Sequence, residues 1–301
     1  MKANLLAATA LASALSASAF AADLPSIKAP LVLPPPPPLW TGFYVGLNAG
    51  GTFGGNSGLT SSGIDLYDDY FPAAAGAAGA LSATASGIRS GSNSGFVGGG
   101  QVGYNYQFNP SFVVGLEADI QGVANSGGNI GFTGAAPDPL GSPTTIVTGG
   151  QFQRSLDYLG TVRGRVGYLV TPTLLVYGTA GLAYAGANFS AQYASFDLAG
   201  VYGPGYTSAS YSDTRVGWTA GGGVEWMFMP NWSAKLEYLY YDLGTATVNS
   251  VVSWAPFGLG AGNPGYAYAT SSSARFNGNL VRAGVNYHFN WGAPAPVLAK
   301  Y

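Results

Sequence analysis

Beyond residue 40, apolar and polar positions alternate with a period of two through eight separate stretches of the chain. A strand with lipid on one face and a polar interior on the other must alternate in this way. In the first stretch Phe43, Val45, Leu47 and Ala49 share one face, and Tyr44, Gly46 and Asn48 the other. The second sets Phe96, Val102, Tyr104, Tyr106 and Phe108 against Gln101, Asn105 and Gln107. The third sets Val114, Leu116, Ala118 and Ile120 against Glu117, Asp119 and Gln121. The fourth places Leu156, Tyr158, Val162, Val166 and Tyr168 outward, with Asp157, Arg163 and Arg165 inward. A fifth runs from Leu174 to about Ala187, and its facing is ambiguous. The sixth sets Val216, Trp218, Val224, Trp226 and Phe228 against Arg215, Thr219 and Glu225. In the seventh Leu236, Tyr238 and Tyr240 oppose Lys235 and Glu237. In the eighth Val281, Ala283, Val285, Tyr287 and Phe289 oppose Arg282, Asn286 and His288.

Three proline-centred turns join pairs of these stretches: Asn109-Pro110-Ser111, Thr171-Pro172-Thr173 and Met229-Pro230-Asn231. The other connections are much longer and begin near Gly54, Asn125, Ser190 and Gly244. Short turns on one side and long loops on the other are the habit of outer-membrane barrels, with the turns in the periplasm. The pattern therefore predicts an all-β, eight-stranded, antiparallel up-and-down transmembrane barrel over residues 40–291, with four long extracellular loops. A ten-stranded rival would thread two more strands through Ser190 to Ser212, where Tyr193, Phe196, Leu198 and Val201 are partly apolar; no proline turn supports it, and the stretch reads as strand extensions or loop above the membrane.

Composition agrees. Only 8% of the residues are charged against 47% hydrophobic, where a soluble domain carries roughly 25% charged. The 47 Gly, 20 Tyr, 15 Phe and 6 Trp suit turns and aromatic-rich strands better than helix interiors. No stretch after the first 22 residues is apolar enough for a spanning helix, which leaves a closed barrel as the spanning structure. The net charge of −2 supplies no basic field for nucleic acid. The absence of Cys removes thiolate metal sites, cysteine nucleophiles and disulfides.

The alternation sends the strand charges inward: Glu117, Asp119, Asp157, Glu225 and Glu237 with Arg163, Arg165, Arg215, Lys235 and Arg282. On the lipid face each Arg or Lys would cost about 2 to 4 kcal/mol near the midplane. An eight-stranded barrel is just wide enough for side chains to fill it. A balanced set of ions inside is therefore expected to plug the lumen, the alternative being a narrow porin path for ions or small solutes. Trp40, Phe108, Phe112, Tyr168, Phe228, Trp232 and Phe289 flank the short turns or the barrel's ends and are expected to form the periplasmic aromatic girdle.

Chemistry is sparse. His288 is the sole histidine and faces inward near the periplasmic end, away from the loops where an enzyme acting on outer-leaflet lipid would place its base. Asp65, Asp68 and Asp69 lack the glycine and terminal glutamate of a calcium loop. Gly98-Gly99-Gly100 lies inside a strand with no following Lys, so it is no phosphate loop. Ala73 to Ala83 reads as a low-complexity loop. No catalytic residue, cofactor or metal is expected.

Residues 1–21 read as a secretory signal: Lys2, an apolar run from Leu5 to Leu15, and Ala19-Phe20-Ala21 as the cleavage site, so the mature chain starts at Ala22-Asp23. Residues 22–39 form a proline-rich periplasmic spacer whose five consecutive prolines cannot join a sheet. Residues 292–301 read as a periplasmic tail.

The opening Trp40-Thr41-Gly42-Phe43-Tyr44-Val45-Gly46-Leu47-Asn48-Ala49-Gly50, the three hairpins and the closing Val281-Arg282-Ala283-Gly284-Val285-Asn286-Tyr287-His288-Phe289 resemble the small outer-membrane barrels of alphaproteobacteria, specifically the 25/31-kilodalton outer-membrane protein family. The resemblance covers roughly Trp40 to Phe289. It implies a barrel in the outer membrane of a Gram-negative cell that contributes to envelope integrity and surface contact, in contact with outer-membrane lipid and lipopolysaccharide. It also implies insertion by the barrel-assembly machinery, which reads the final aromatic strand, and attachment to peptidoglycan at Ala22. This chain continues past Phe289 to Tyr301, so either residue could serve as the assembly signal.

Overall fold

A computed structural model describes residues 39–54, 58–66, 83–90, 94–125, 129–137, 145–200, 204–253 and 267–289. The leader, Ala22, most of the proline spacer, Asp68, Asp69, most of Ala73 to Ala83, and the tail lie outside the described residues. Eleven strands are described: β1 (Gly42–Phe53), β2 (Gly58–Asp65), β3 (Gly87–Ser90), β4 (Gly95–Gln107), β5 (Phe112–Asn125), β6 (Asn129–Pro137), β7 (Thr145–Thr171), β8 (Leu174–Asp197), β9 (Gly205–Met229), β10 (Trp232–Ser253) and β11 (Ala267–His288).

Eight of them form a closed antiparallel ring in the order β1-β4-β5-β7-β8-β9-β10-β11, and β11 returns to pair with β1 from Tyr44↔His288 to Phe53↔Asn279. Closure satisfies every strand edge inside lipid, where an unpaired backbone group is costly. The other three strands extend the wall on the extracellular side: β2 pairs the upper part of β11, β3 pairs β2, and β6 pairs the upper part of β7.

The three proline turns sit where the alternation predicts them, between β4 and β5, β7 and β8, and β9 and β10. Two of them have a visible local cause. Asn109 Oδ1 accepts hydrogen bonds from the Ser111 and Phe112 amides at 2.9 and 2.8 Å, an Asx turn. Asn231 takes the left-handed conformation, φ 72°, which asparagine tolerates better than most residues.

One extracellular connection differs from expectation, that after Gly244. The Ser190 to Ser212 stretch is strand extension, since β8 runs to Asp197 and β9 starts at Gly205, and what reads as loop after Gly244 is also strand, β10 staying paired with β11 as far as Ser253↔Ala267. Tyr193, Phe196 and their neighbours therefore extend the eight-stranded ring upward and add no ninth or tenth ring strand. The facing of β8 is also settled, because its odd-numbered residues from Leu175 to Asp197 point inward and are mostly buried.

Two irregularities reset the alternation. A register shift between Leu156 and Leu159 in β7 moves inward facing from odd residues below it to even residues above it. Leu156, read from sequence as lipid-facing, is thereby buried inside, and Asp157 turns outward. A second shift, between Asp242 and Thr245, does the same to β10.

Candidate functional site

The lumen is stacked in three tiers. At the periplasmic end Val113, Leu169, Leu175, Tyr177 and Met227 pack with Trp40, whose side chain is fully buried and whose indole N–H donates to the Pro172 carbonyl at 3.0 Å. Trp40 is therefore no member of the lipid-facing girdle. The extended segment before β1 turns its ring inside the barrel mouth, where one hydrogen bond and an apolar bed satisfy it. Phe108, Phe112, Tyr168, Phe228 and Trp232 are exposed around this end. Phe112 meets Phe108 and Tyr168 at ring distances of 5.9 and 5.3 Å, and Tyr287 bridges Trp232 and Phe289 at 5.2 and 5.1 Å.

Above Trp40 lie the ions. Arg163 is the hub: Nη2 donates to Glu117 Oε1 at 2.5 Å and Asp119 Oδ2 at 3.0 Å, and Nη1 donates to Glu237 Oε1 at 2.9 Å. Arg282 joins Asp119 at 2.8 Å and Glu237 at 2.7 Å. Lys235 Nζ donates to both oxygens of Glu117 at 2.8 Å. Arg165 donates to Glu225 at 2.5 Å and to the Tyr44 hydroxyl at 3.0 Å, and that hydroxyl donates to Glu117 at 2.7 Å. Four acids thus meet four bases, each at most 4% exposed. The strands set this geometry through register, since Glu117 stands opposite Arg163 and Glu237 opposite Arg282 across neighbouring strands.

Two of the ten residues expected here are elsewhere. Asp157 is exposed on the outer wall, accepting two 2.9 Å hydrogen bonds from Asn188 Nδ2, because the β7 register shift turns it away from the lumen. Arg215 is half-buried and stands beside Ala185, above the acids; it donates to the Leu243 carbonyl at 3.0 Å and the Tyr211 hydroxyl at 3.3 Å and makes no ion pair with a described residue.

His288 is buried, with Nε2 at 2.8 Å from Ser233 Oγ and 3.4 Å from Glu225 Oε1. Serine and carboxylate meet the same ring nitrogen, whereas a relay needs them on opposite nitrogens. Ser233 also donates directly to Glu225 at 2.6 Å, and Trp40 and Tyr44 cover the imidazole at ring distances of 5.7 and 5.4 Å.

The third tier is one that the sequence reading missed. Above the ions Leu159, Ala183, Leu239 and Leu280, then Phe152, Phe189 and Phe276, form one continuous apolar core into the extension, with Arg154, Thr148, Ser195 and Ser272 buried beside it. Leu59 and Ala85, from the first extracellular connection, close over it. Arg89 on β3 lays its guanidinium 3.5 Å from the Phe132 ring centroid on β6, and burial there lowers its pKa below the usual arginine value. A second aromatic band also went unread: Tyr158 with Tyr184, and Trp218 with Tyr240, mark the upper lipid boundary. Its signal was available in the outward parity of Tyr158, Trp218 and Tyr240.

A closed ring of eight tilted strands with an apolar belt between two aromatic bands defines an outer-membrane β-barrel protein. The family model described as "Outer membrane protein beta-barrel domain" matches residues 7–289, and the chain belongs to that family. It is 33% identical to the 31 kDa outer-membrane immunogenic protein of Brucella melitensis biotype 1 over 96% of this chain and 100% of the relative. It is 28% identical to the 25 kDa outer-membrane immunogenic protein of the same organism, over 82% of this chain and 91% of the relative. The chain thus stands among the small outer-membrane proteins of alphaproteobacteria. Among solved structures, OprG from Pseudomonas aeruginosa is similar over 83% of this chain and 97% of that one, at 11% identity and a TM-score of 0.33.

Proposed function

We propose that this protein is a non-enzymatic outer-membrane barrel that supports envelope integrity and presents its extracellular strands for surface contact, with its lumen closed to ions and solutes. The observation that carries this reading is the neutral cluster of four acids and four bases across the middle of the lumen, every member buried. A conducting path needs hydrated, unpaired groups; these are spent on one another, between an apolar tier below and another above. Burial of the sole histidine supports the non-enzymatic half, since His288 is enclosed by Trp40 and Tyr44 and presents one ring nitrogen to both Ser233 and Glu225.

The test is conductance of the folded protein in a planar bilayer, with a heat-shifted gel band verifying the barrel. Silence is expected. Reproducible discrete steps from a properly folded sample would make it a narrow porin and overturn the closed-lumen reading.

A further inference from the structure

The outer wall of the extension carries a groove of about 1060 Å³ that the lumen does not explain. Four strands build it: β6, β7, β8 and β9 lie side by side, and their register aligns outward residues into cross-strand rows. One row reads Gly131, Gln151, Gln192, Ser208 and the next reads Thr133, Gly149, Ala194, Tyr206. Glycine and alanine at the centre of the second row leave a trough, walled on one side by Tyr206, which is 72% exposed. Gln151 and Gln192 face each other across the strand pair, each offering an amide donor and a carbonyl acceptor and neither with a hydrogen-bond partner among the described residues.

The chemistry selects a ligand class. No Asp, Glu, Lys or Arg lines the groove, so nothing there neutralises a phosphate or carboxylate. Paired amides and hydroxyls that both donate and accept, beside a flat aromatic ring and a glycine floor, suit a hydroxylated ring with one apolar face. That is a neutral sugar. The groove opens sideways. Gln192 lies eight residues beyond Tyr184 of the upper aromatic band, which places it about 20 Å above the lipid boundary for a tilted strand. At that height and facing laterally, the groove meets the polysaccharide chains of neighbouring lipopolysaccharide, beyond their phosphate-rich base.

We infer that this groove is a binding site for a neutral stretch of the polysaccharide chain of lipopolysaccharide in the same leaflet. The inference rests on the surface-contact half of the proposed function and is independent of whether the lumen conducts.

The test uses the folded full-length chain in lipid nanodiscs. The probe is delipidated, uncharged polysaccharide released from smooth lipopolysaccharide, followed by saturation-transfer NMR and calorimetry. Binding is expected for this probe and not for a rough lipopolysaccharide truncated to lipid and inner core. Tyr206→Ala and Gly149→Val are each expected to weaken it by about tenfold or more, because they remove the stacking wall or fill the trough. A Cβ at Gly149 meets nothing closer than the Phe132 and Ala194 carbonyls, at 3.8 and 4.0 Å, so Gly149→Val should keep the heat-shifted band. No binding by the wild type, equal binding of rough lipopolysaccharide, or unchanged affinity in both folded variants would each overturn the inference. So would occupation of the groove by a second copy through the edge of β6 that pairs with no described strand, read as a dimer that the polysaccharide does not dissolve. Conductance recorded on the same preparation keeps an opened lumen distinguishable from a lost sugar site.

Discussion

At the scale of single residues the lumen separates charges that look alike in sequence. Arg163 and Arg215 are both inward-facing arginines, yet among the described residues Arg163 touches three carboxylates and Arg215 none. Removing Arg163 leaves Glu117, Asp119 and Glu237 short of positive charge in a buried space. Arg163→Met is therefore expected to cost about 3 to 5 kcal/mol. Arg215→Met gives up hydrogen bonds at a half-exposed site and should cost about 1 kcal/mol. Urea unfolding midpoints in lipid vesicles would rank them, and equal losses would refute the account of the ion cluster. Trp40→Ala removes a fully buried ring from the base of the lumen and should cost about 3 to 5 kcal/mol. A residue of the lipid-facing girdle such as Phe108, 52% exposed, should lose clearly less on the same substitution in the same assay.

At the scale of strands, the pattern of alternation was enough to find all eight ring members and their three tight turns, because a ring strand in lipid has only one way to arrange its faces. It failed where a strand changes phase. Nothing in Ser155-Leu156-Asp157-Tyr158-Leu159 announces a register shift, since apolar residues stand at both parities, and so Asp157 and Leu156 were assigned to each other's faces. Trp40 was misread for a related reason: an aromatic just before the first strand reads alike whether its ring turns out to lipid or in to the lumen. Glycines pose the same problem of legibility. Gly103 and Gly122 both lie in ring strands, but a Cβ at Gly103 would press on the Tyr44 hydroxyl and the Leu116 carbonyl, while one at Gly122 meets only the Gly98 carbonyl at 4.0 Å. Gly103→Ala should destabilise the barrel by about 1 to 3 kcal/mol through overpacking and disturb the Tyr44 to Glu117 hydrogen bond. Gly122→Ala should stay within about 0.5 kcal/mol. Matching midpoints for the two variants would mean that close β4 to β5 packing does not set the lumen's geometry.

At the scale of the whole molecule, the closure we propose for the lumen has two parts, ions in the middle and a largely apolar layer above them, and the two have different physics. Leu239 and Leu280 stand opposite each other across β10 and β11, one alternation step above Glu237 and Arg282, which are paired in the same way. Loosening one tier leaves the other intact, so a path requires both. The full-length chain carrying Arg163→Ser and Arg282→Ser should remain silent in a planar bilayer, because the apolar layer excludes water. The chain carrying Leu239→Ser and Leu280→Ser should also remain silent, because the four acids and four bases still fill the middle. Only the quadruple variant should conduct, provided that its heat-shifted band shows a folded barrel. Conductance from the serine-for-arginine pair alone would mean that the upper core does not seal the lumen. Conductance from the serine-for-leucine pair alone would mean that ions and water pass the charge cluster, and the narrow-porin function would replace the closed barrel.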